Sequence, residues 1–347
     1  MKIVFMGTPD FAVGALEAIL EAGHQVLAVV TQPDKPKGRS KALQVTPVKA
    51  CAQAHGIPVF QPVKVREKEA VETLKGYGAD VFVVAAFGQI LSQEILTMPQ
   101  YGCVNIHASL LPKYRGAGPI QWAIIDGEEK TGVTIMQMDK GIDTGDMLLK
   151  TEVAIDPRET GDSLHDKLAA AGARLIVEAL PKIERGELVP VKQKEEDSCY
   201  AKMLHKSMGQ IDWKQSAKKL DCLIRGLLSW PGAYTGFRGK NLKIWEAEAV
   251  PAEAVGMNPS ARMTAERAGM DLTAGMTTER AGMDPVTEQT GIVPGTVVRV
   301  EKEAFYVAAG EGVLKILAVQ PEGKKRMAVK DFLLGYQIKN GEQLGIG

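Results

Sequence analysis

Asn105 and His107 stand two residues apart in VNIHAS, a run with the apolar character of a β-strand. Alternate strand residues share a face, so Val104, Ile106 and Ala108 can enter a core while Asn105, His107 and Ser109 face the other way. Along that face the amide and the imidazole lie about 7 Å apart, which straddles one small polar group such as a carbonyl. Open parallel sheets bind ligands at their strand ends. A satisfied polar pair at a loop mouth fits the same spacing equally well.

Three further stretches carry chemical side chains. MDKGIDTGDML (138–148) places three acids among glycines that permit tight turns. One carboxylate can be aimed at the histidine. Asp139, Asp143 and Asp146 can instead offer oxygen ligands to a metal, although the spacing is not that of an EF-hand, or simply be solvated turn residues. AFGQIL (86–91) ends an apolar strand and can wall a flat heterocycle. QPDKPKGRSK (32–41) is too polar for a core and reads as a solvated loop or a phosphate-contacting arm.

These stretches need a frame to position them. KIVFMG reads as a buried strand, followed by a turn at Gly7, a cap at Thr8, Pro9 at the first helical position and a helix to about Glu21. QVLAVVT is the next strand, which makes a β-α-β unit. The near-continuous apolar strands imply a parallel sheet covered on both faces. HGIPVFQP, DVFVVAAF, VNIHAS, TGVTIMQM and MLLKTEVAI continue the strands, with helices expected over 64–75 and from Ser163 to about Arg185, the latter capped by Thr160 or Asp162. PVKQKEEDSCYAKMLHKSMGQ lacks periodicity and reads as a linker. A helix over SAKKLDCLIRGLLSW and a series of short strands follow, a pattern suited to a small barrel.

The chain has 347 residues, 45% apolar and 24% charged, with a formal net charge of zero, so no global charge advertises nucleic acid or membrane. From Lys206 onward there are 19 Lys/Arg and 16 Asp/Glu, and the span 251–294 holds 3 and 6 of these; the rest of that region is therefore basic, about +6. Cys51, Cys103, Cys199 and Cys222 form no C-x-x-C pair, and none is read as lying at zinc-ligand spacing from a histidine. They are expected as free thiols in a reducing compartment. No signal peptide or long apolar run is read, so the cytoplasm is expected. MTAERAGMD (263–271) recurs as MTTERAGMD (276–284), and about 254–292 reads as a repeat-expanded surface loop.

Taken in order, GTPDFA, QPDKPKGRSK, AFGQIL, NIHASLLPKYRGAGPIQWAI and MDKGIDTGDML resemble the 10-formyltetrahydrofolate-dependent formyltransferase family, and within it the members that formylate methionyl-tRNA. The resemblance covers about 1–250 and 294–335. It implies transfer of a formyl group from 10-formyltetrahydrofolate, without a metal, to the α-amine of initiator methionyl-tRNA in the bacterial cytoplasm. It implies a catalytic triad of Asn105, His107 and Asp143. Folate contacts are expected at Phe87, Gly88, Gln89, Leu91, Ser109, Leu110, Leu111 and Pro112. Contacts to tRNA are expected at Arg39, Lys41, Lys324, Lys325 and Arg326. The implied fold class is α/β: a Rossmann-like parallel-sheet formyltransferase domain over 1–189, a linker over 190–205, and a small OB-like β-barrel domain over 206–347. A monomer with no membrane partner is expected. A sugar-nucleotide N-formyltransferase is the alternative with the same triad; the basic 32–41 loop and the basic C-terminal third speak against it.

Overall fold

The structure, a computed structural model, describes residues 1–37, 42–256 and 292–345. The chain divides into two compact units, Met1–Leu204 and His205–Gly347. In chain order the first contains β1 (Lys2–Gly7), α1 (Val13–Glu21), β2 (Gln25–Val30), β3 (Lys35–Lys37), β4 (Ala42–Gln44), α2 (Pro47–Ala54), β5 (Val59–Phe60), α3 (Lys68–Gly76), β6 (Val81–Ala85) and α4 (Gln93–Leu96). It continues through β7 (Cys103–His107), β8 (Arg115–Gly116), α5 (Pro119–Ile125), β9 (Lys130–Gln137), β10 (Met147–Ala154), α6 (Gly161–Glu184) and β11 (Tyr200–Ala201).

Seven strands form the main sheet in the order β10-β9-β7-β6-β1-β2-β5. Neighbours from β5 to β7 are parallel, whereas β9 runs antiparallel to both β7 and β10. The apolar strands bury both faces. On one face Phe5, Val83, Val104 and Ile106 pack with Leu16 of α1 and Leu168 and Ile176 of α6. On the other, Met6, Phe82, Val84 and Cys103 pack with Leu74 of α3 and Ile95 of α4. Each such side chain contributes about 1.5–3 kcal/mol by leaving water. Asn105 and His107 belong to the second face, beyond the end of its apolar cluster.

The helix expected from Ser163 begins at Gly161, and Thr160 rather than Asp162 caps it: its hydroxyl accepts from Ser163 N at 3.1 Å. Thr8 does not cap a helix. It donates to the Phe87 carbonyl at 3.1 Å and accepts from Gln32 N at 3.3 Å. The ends of β1, β2 and β6 adjoin in the parallel sheet, so this hydroxyl joins the loops that follow them. Helices α2, α5 and α8 (Val329–Tyr336) have no counterpart in the sequence reading; none exceeds eight residues, too short for a clear helical period.

The segment expected as a linker over 190–205 is ordered against the first unit as far as Leu204. Val191 and Met147 exchange backbone hydrogen bonds at 2.8 and 2.9 Å, and β11 pairs in parallel with β8. Its polar composition hides this role because the segment is held by backbone groups and amides, not by an apolar stripe.

The second unit holds α7 (Ala217–Gly226), β12 (Ala233–Phe237), β13 (Lys240–Val250), β14 (Val297–Val300), β15 (Phe305–Ala308), β16 (Val313–Pro321), β17 (Met327–Ala328) and the α8 already given. Its strands are antiparallel in the order β12-β13-β16-β15-β14, with β17 also on β16. Leu220, Ile244, Phe305, Ile316 and Phe332 centre its core. Register shifts between Ile244 and Ala247 mark irregularities that bend the long β13–β16 pair. Among the described residues β12 and β14 are the ends of this sheet, so the pairing is compatible with an OB-like fold without closing a ring. Nearly all of the 254–292 repeat segment lies outside the described residues.

Candidate active site

Strand β7 presents Asn105 and His107 opposite Met136 and Thr134 of β9, and Asn105 pairs in register with Val84 of β6. The loop between β9 and β10 folds back over this face and brings Asp143 to both side chains. Asn105 Nδ2 donates to Asp143 Oδ1 at 3.3 Å, and His107 Nδ1 lies 3.6 Å from Asp143 Oδ2. The three predicted triad residues therefore meet. His107 is 5% exposed and Asp143 17%, so water reaches the carboxylate more easily than the ring.

Backbone geometry fixes this arrangement. Asp143 has φ +54°, a left-handed conformation uncommon outside glycine, asparagine and aspartate. Gly116 N donates to Asp143 Oδ2 at 2.9 Å. Gly145 is required by close approach: a Cβ there would stand 1.8 Å from the Gln137 carbonyl. His107 Nε2 lies 2.9 Å from the Tyr114 carbonyl. A carbonyl only accepts, so Nε2 carries a hydrogen and Nδ1 is the ring nitrogen that faces Asp143.

Asp139 does not join. It accepts from Gly141 N and Thr144 Oγ1 inside its own loop, at 3.0 and 2.6 Å. Among the described residues one ligand-type set converges elsewhere: Glu17, Cys51 and His55, whose ligand atoms lie within 4.8 Å of one another. This corrects the reading that no cysteine stands at ligand spacing from a histidine. Cys51 of α2 and His55, which caps its C-terminus, are one turn apart on a helix the sequence reading did not place.

The residues after β7 form a compact turn. Ser109 is fully buried and donates to the Lys113 carbonyl at 2.6 Å. Thr134 Oγ1 donates to the Ser109 carbonyl at 2.7 Å and accepts from Leu111 N at 3.2 Å. The Leu111–Pro112 peptide is cis, and Leu111 packs with Met136 and Met147. Leu110 and Pro112 stay half-exposed. Tyr114 donates to Asp126 Oδ2 and Glu128 Oε1, both at 3.0 Å; burial and these carboxylates push its phenol pKa up.

The loop after β6 adjoins this turn at the same sheet edge. Phe87 and Leu91 are core residues, and the Gln89 amide is engaged with Val65 N and the Pro62 carbonyl at 2.7 and 3.0 Å. Gly88 is exposed, and so is Ile90 at 69%, a residue the sequence reading did not single out although it lay inside AFGQIL. Gln32 donates to the carbonyls of Phe87 and Gly88 at 3.3 and 3.1 Å.

Arg39 and Lys41 lie outside the described residues. Their flanks form the short β3–β4 hairpin. At its root Asp34 accepts from Lys49 Nζ at 2.5 Å and Gln61 Nε2 at 2.8 Å, which holds its carboxyl below the usual range. Lys324, Lys325 and Arg326 are exposed at the turn before β17. The Arg326 guanidinium lies 5.2 Å from the centre of the Trp245 ring and 3.6 Å from Glu246. Sequence reasoning missed Thr134, Gln193, Arg115 and the Tyr114 carbonyl. Tyr114 and Arg115 lie inside the quoted NIHASLLPKYRGAGPIQWAI stretch, but no local signal in the chain announces these contacts, which depend on tertiary placement.

A formyl transferase model matches residues 1–180, and a formyl transferase C-terminal domain model matches 203–337. A methionyl-tRNA formyltransferase from Lachnospira eligens is 52% identical over 345 residues, covering 99% of this chain and 100% of that protein. One from Agathobacter rectalis is 49% identical over 341 residues, covering 98% of each chain. Among solved structures, an N-formyltransferase from Helicobacter canadensis in complex with folinic acid and dTDP-3-aminofucose shares the fold, with TM-score 0.59 and 19% identity over 92% of this chain and 99% of that one. HypX from Aquifex aeolicus in complex with tetrahydrofolic acid has TM-score 0.56 and 18% identity over 96% of this chain; the chain spans about half its length, 47%. With both domain models matched in order along one chain, and full-length relatives near half identity, this chain belongs to the formyl transferase family.

Proposed function

We propose that this protein transfers a formyl group from 10-formyltetrahydrofolate to the α-amino group of initiator methionyl-tRNA, giving N-formylmethionyl-tRNA for translation initiation. The observation that carries the reading is the convergence of Asn105 Nδ2 and His107 Nδ1 on Asp143 at the end of β7.

The acceptor is an amine of modest basicity. A free α-amino group has a pKa of about 7.7–8, and esterification of the neighbouring carboxyl removes a negative charge and lowers it further. A useful fraction is therefore neutral near pH 7, and the larger task is stabilising the oxyanion on the formyl carbon. Asn105 donates an amide N–H to that oxygen. His107 donates from Nδ1 when that nitrogen carries a hydrogen. The new C–N bond forms as the amine attacks. The amine's proton passes to Asp143, directly or through water, and a proton is returned to N10 as its bond to the formyl carbon breaks, so tetrahydrofolate leaves with N10–H. Folate supplies the activated one-carbon group. The exposed backbone at Gly88, with Ile90, Leu110 and Pro112, offers the open surface for its ring, while Phe87, Leu91, Ser109 and Leu111 support that surface from beneath.

Arg39 and Lys41 of the basic 32–41 stretch and the cluster of Lys324, Lys325 and Arg326 contact tRNA phosphates in this reading. In this reading residues 1–204, which include most of the 190–205 segment expected as a linker, carry the donor chemistry, and 206–347 supplies the main tRNA-docking surface. The protein acts as a cytoplasmic monomer; no helix among the described residues is long and apolar enough to cross a membrane. The test is a formyl-transfer assay with 10-formyltetrahydrofolate and charged initiator tRNA, run beside an amino-sugar nucleotide. Formylation of the tRNA is expected. Transfer only to the sugar would overturn the reading.

A further inference from the structure

We infer that Gln193 is a positioning residue for Asp143, itself held in place by the buried Arg115. The inference rests on the reading that Asp143 takes part in formyl transfer. Gln193 Nε2 donates to the Asp143 carbonyl at 2.8 Å and to the Gly145 carbonyl at 2.7 Å. Both hydrogens of the amide are thus directed at the two sides of the turn that carries the carboxylate. Gln193 Oε1 accepts from Arg115 Nε at 2.9 Å, which fixes which end of the amide faces the loop.

Arg115 is 1% exposed, an uncommon position for a guanidinium. Arg115 Nη1 donates to Glu195 Oε2 at 2.7 Å, and the guanidinium holds Glu195 below the usual carboxylate range. The next residue, Gly116, donates its N–H to Asp143 Oδ2 at 2.9 Å. Asp143 is therefore gripped at its carboxylate from residue 116 and at its backbone from residue 193, and Arg115 ties the two grips together.

The energetic reason is the conformation of Asp143. A non-glycine residue at φ +54° is held there by its surroundings. Two amide hydrogen bonds to the Asp143 and Gly145 carbonyls oppose relaxation of the loop. Release would let the carboxylate leave Asn105 and His107 without unfolding the sheet.

The test is single-turnover formyl transfer by the full chain and by Gln193→Leu, Asp143→Asn and the double variant, with folate affinity measured in parallel. Gln193→Leu is expected to slow the chemical step by about 10²-fold, as for misplacement of a catalytic group by about 1 Å, while folate binds nearly as before. In the Asp143→Asn background the same change is expected to add nothing, because both act through one carboxylate. A wild-type rate for Gln193→Leu, or a fully additive double variant, would overturn the positioning role. If Gln193→Leu does not fold, Gln193→Glu decides: it keeps the acceptor for Arg115 but loses both donors, so a slow enzyme supports the role and a wild-type rate refutes it. A near-normal rate for Asp143→Asn alone would instead remove the reading on which the inference stands.

Discussion

The backbone carbonyl of Tyr114 accepts a hydrogen bond from His107 Nε2 at 2.9 Å, on the far side of the ring from Asp143. Orientation of the histidine therefore comes from a main-chain group, itself at φ +60°. Asp143 lies 3.6 Å from Nδ1 and is itself held by Asn105 Nδ2 and Gly116 N.

Asn105→Ala and His107→Ala are expected to lower turnover by about 10²–10³ each, the usual effect of deleting one oxyanion donor. Folate affinity should change far less, because neither side chain lies on the exposed surface around Gly88 and Leu110. Turnover numbers set against folate dissociation constants test this. A loss confined to affinity would remove the two residues from the chemistry.

Gly145→Ala should inactivate the enzyme although no reacting atom is altered. Its Cβ would overlap the Gln137 carbonyl at 1.8 Å, so the turn carrying Asp143 must move. A stability loss of about 1–3 kcal/mol is expected, the typical cost of overpacking. Urea unfolding and an activity assay check both parts; a stable, active variant would contradict the loop conformation.

Arg39→Ala is expected to raise KM for tRNA, or lower turnover at limiting tRNA, with folate parameters unchanged. The defect should shrink as salt rises if phosphate contact is its basis, because the variant has lost one salt-sensitive contact. Steady-state kinetics on the two substrates decide, and a defect seen only with folate refutes the assignment.

Glu128 is one contributor to the acid limb of stability. Lys113, at 2.9 Å, and then the Tyr114 hydroxyl hold its carboxyl below the ordinary 4.5. A lowered folded pKa contributes stability above the ordinary value and loses it as pH falls through the folded one. Glu128→Gln should therefore be less stable than wild type near neutrality, with the gap closing below 4.5. Thermal unfolding across that range measures it, and a gap independent of pH would show that the charge plays no part.

Much of the first unit is legible in the sequence because its strands are continuous apolar runs, and α6 is long enough to repeat its buried stripe through Leu164, Leu168 and Leu175. The site is legible only in part. Spacing puts Asn105 and His107 on one face but leaves their purpose open. Resemblance, not spacing, selects Asp143 from three acids. Thr8 is misread as a cap because its partners, Phe87 and Gln32, are distant in sequence. Gln193 is invisible for the same reason: a polar residue in an aperiodic stretch gives no local sign of a contact 50 residues away.

The parallel pairing of Tyr200 with Arg115 and of Ala201 with Gly116 sets a lower limit on the smallest working piece of this enzyme. A fragment cut at residue 180, where the first family match ends, would keep every strand of the main sheet and all three triad side chains. It would lack the strand that backs Gly116 and the amide beneath Asp143. Such a fragment should fold yet stay nearly silent in catalysis, and extension to Leu204 should restore the chemistry. During synthesis, too, the centre would be the last part of the first unit to be completed, only after the stretch beyond β10 and α6 had emerged and doubled back.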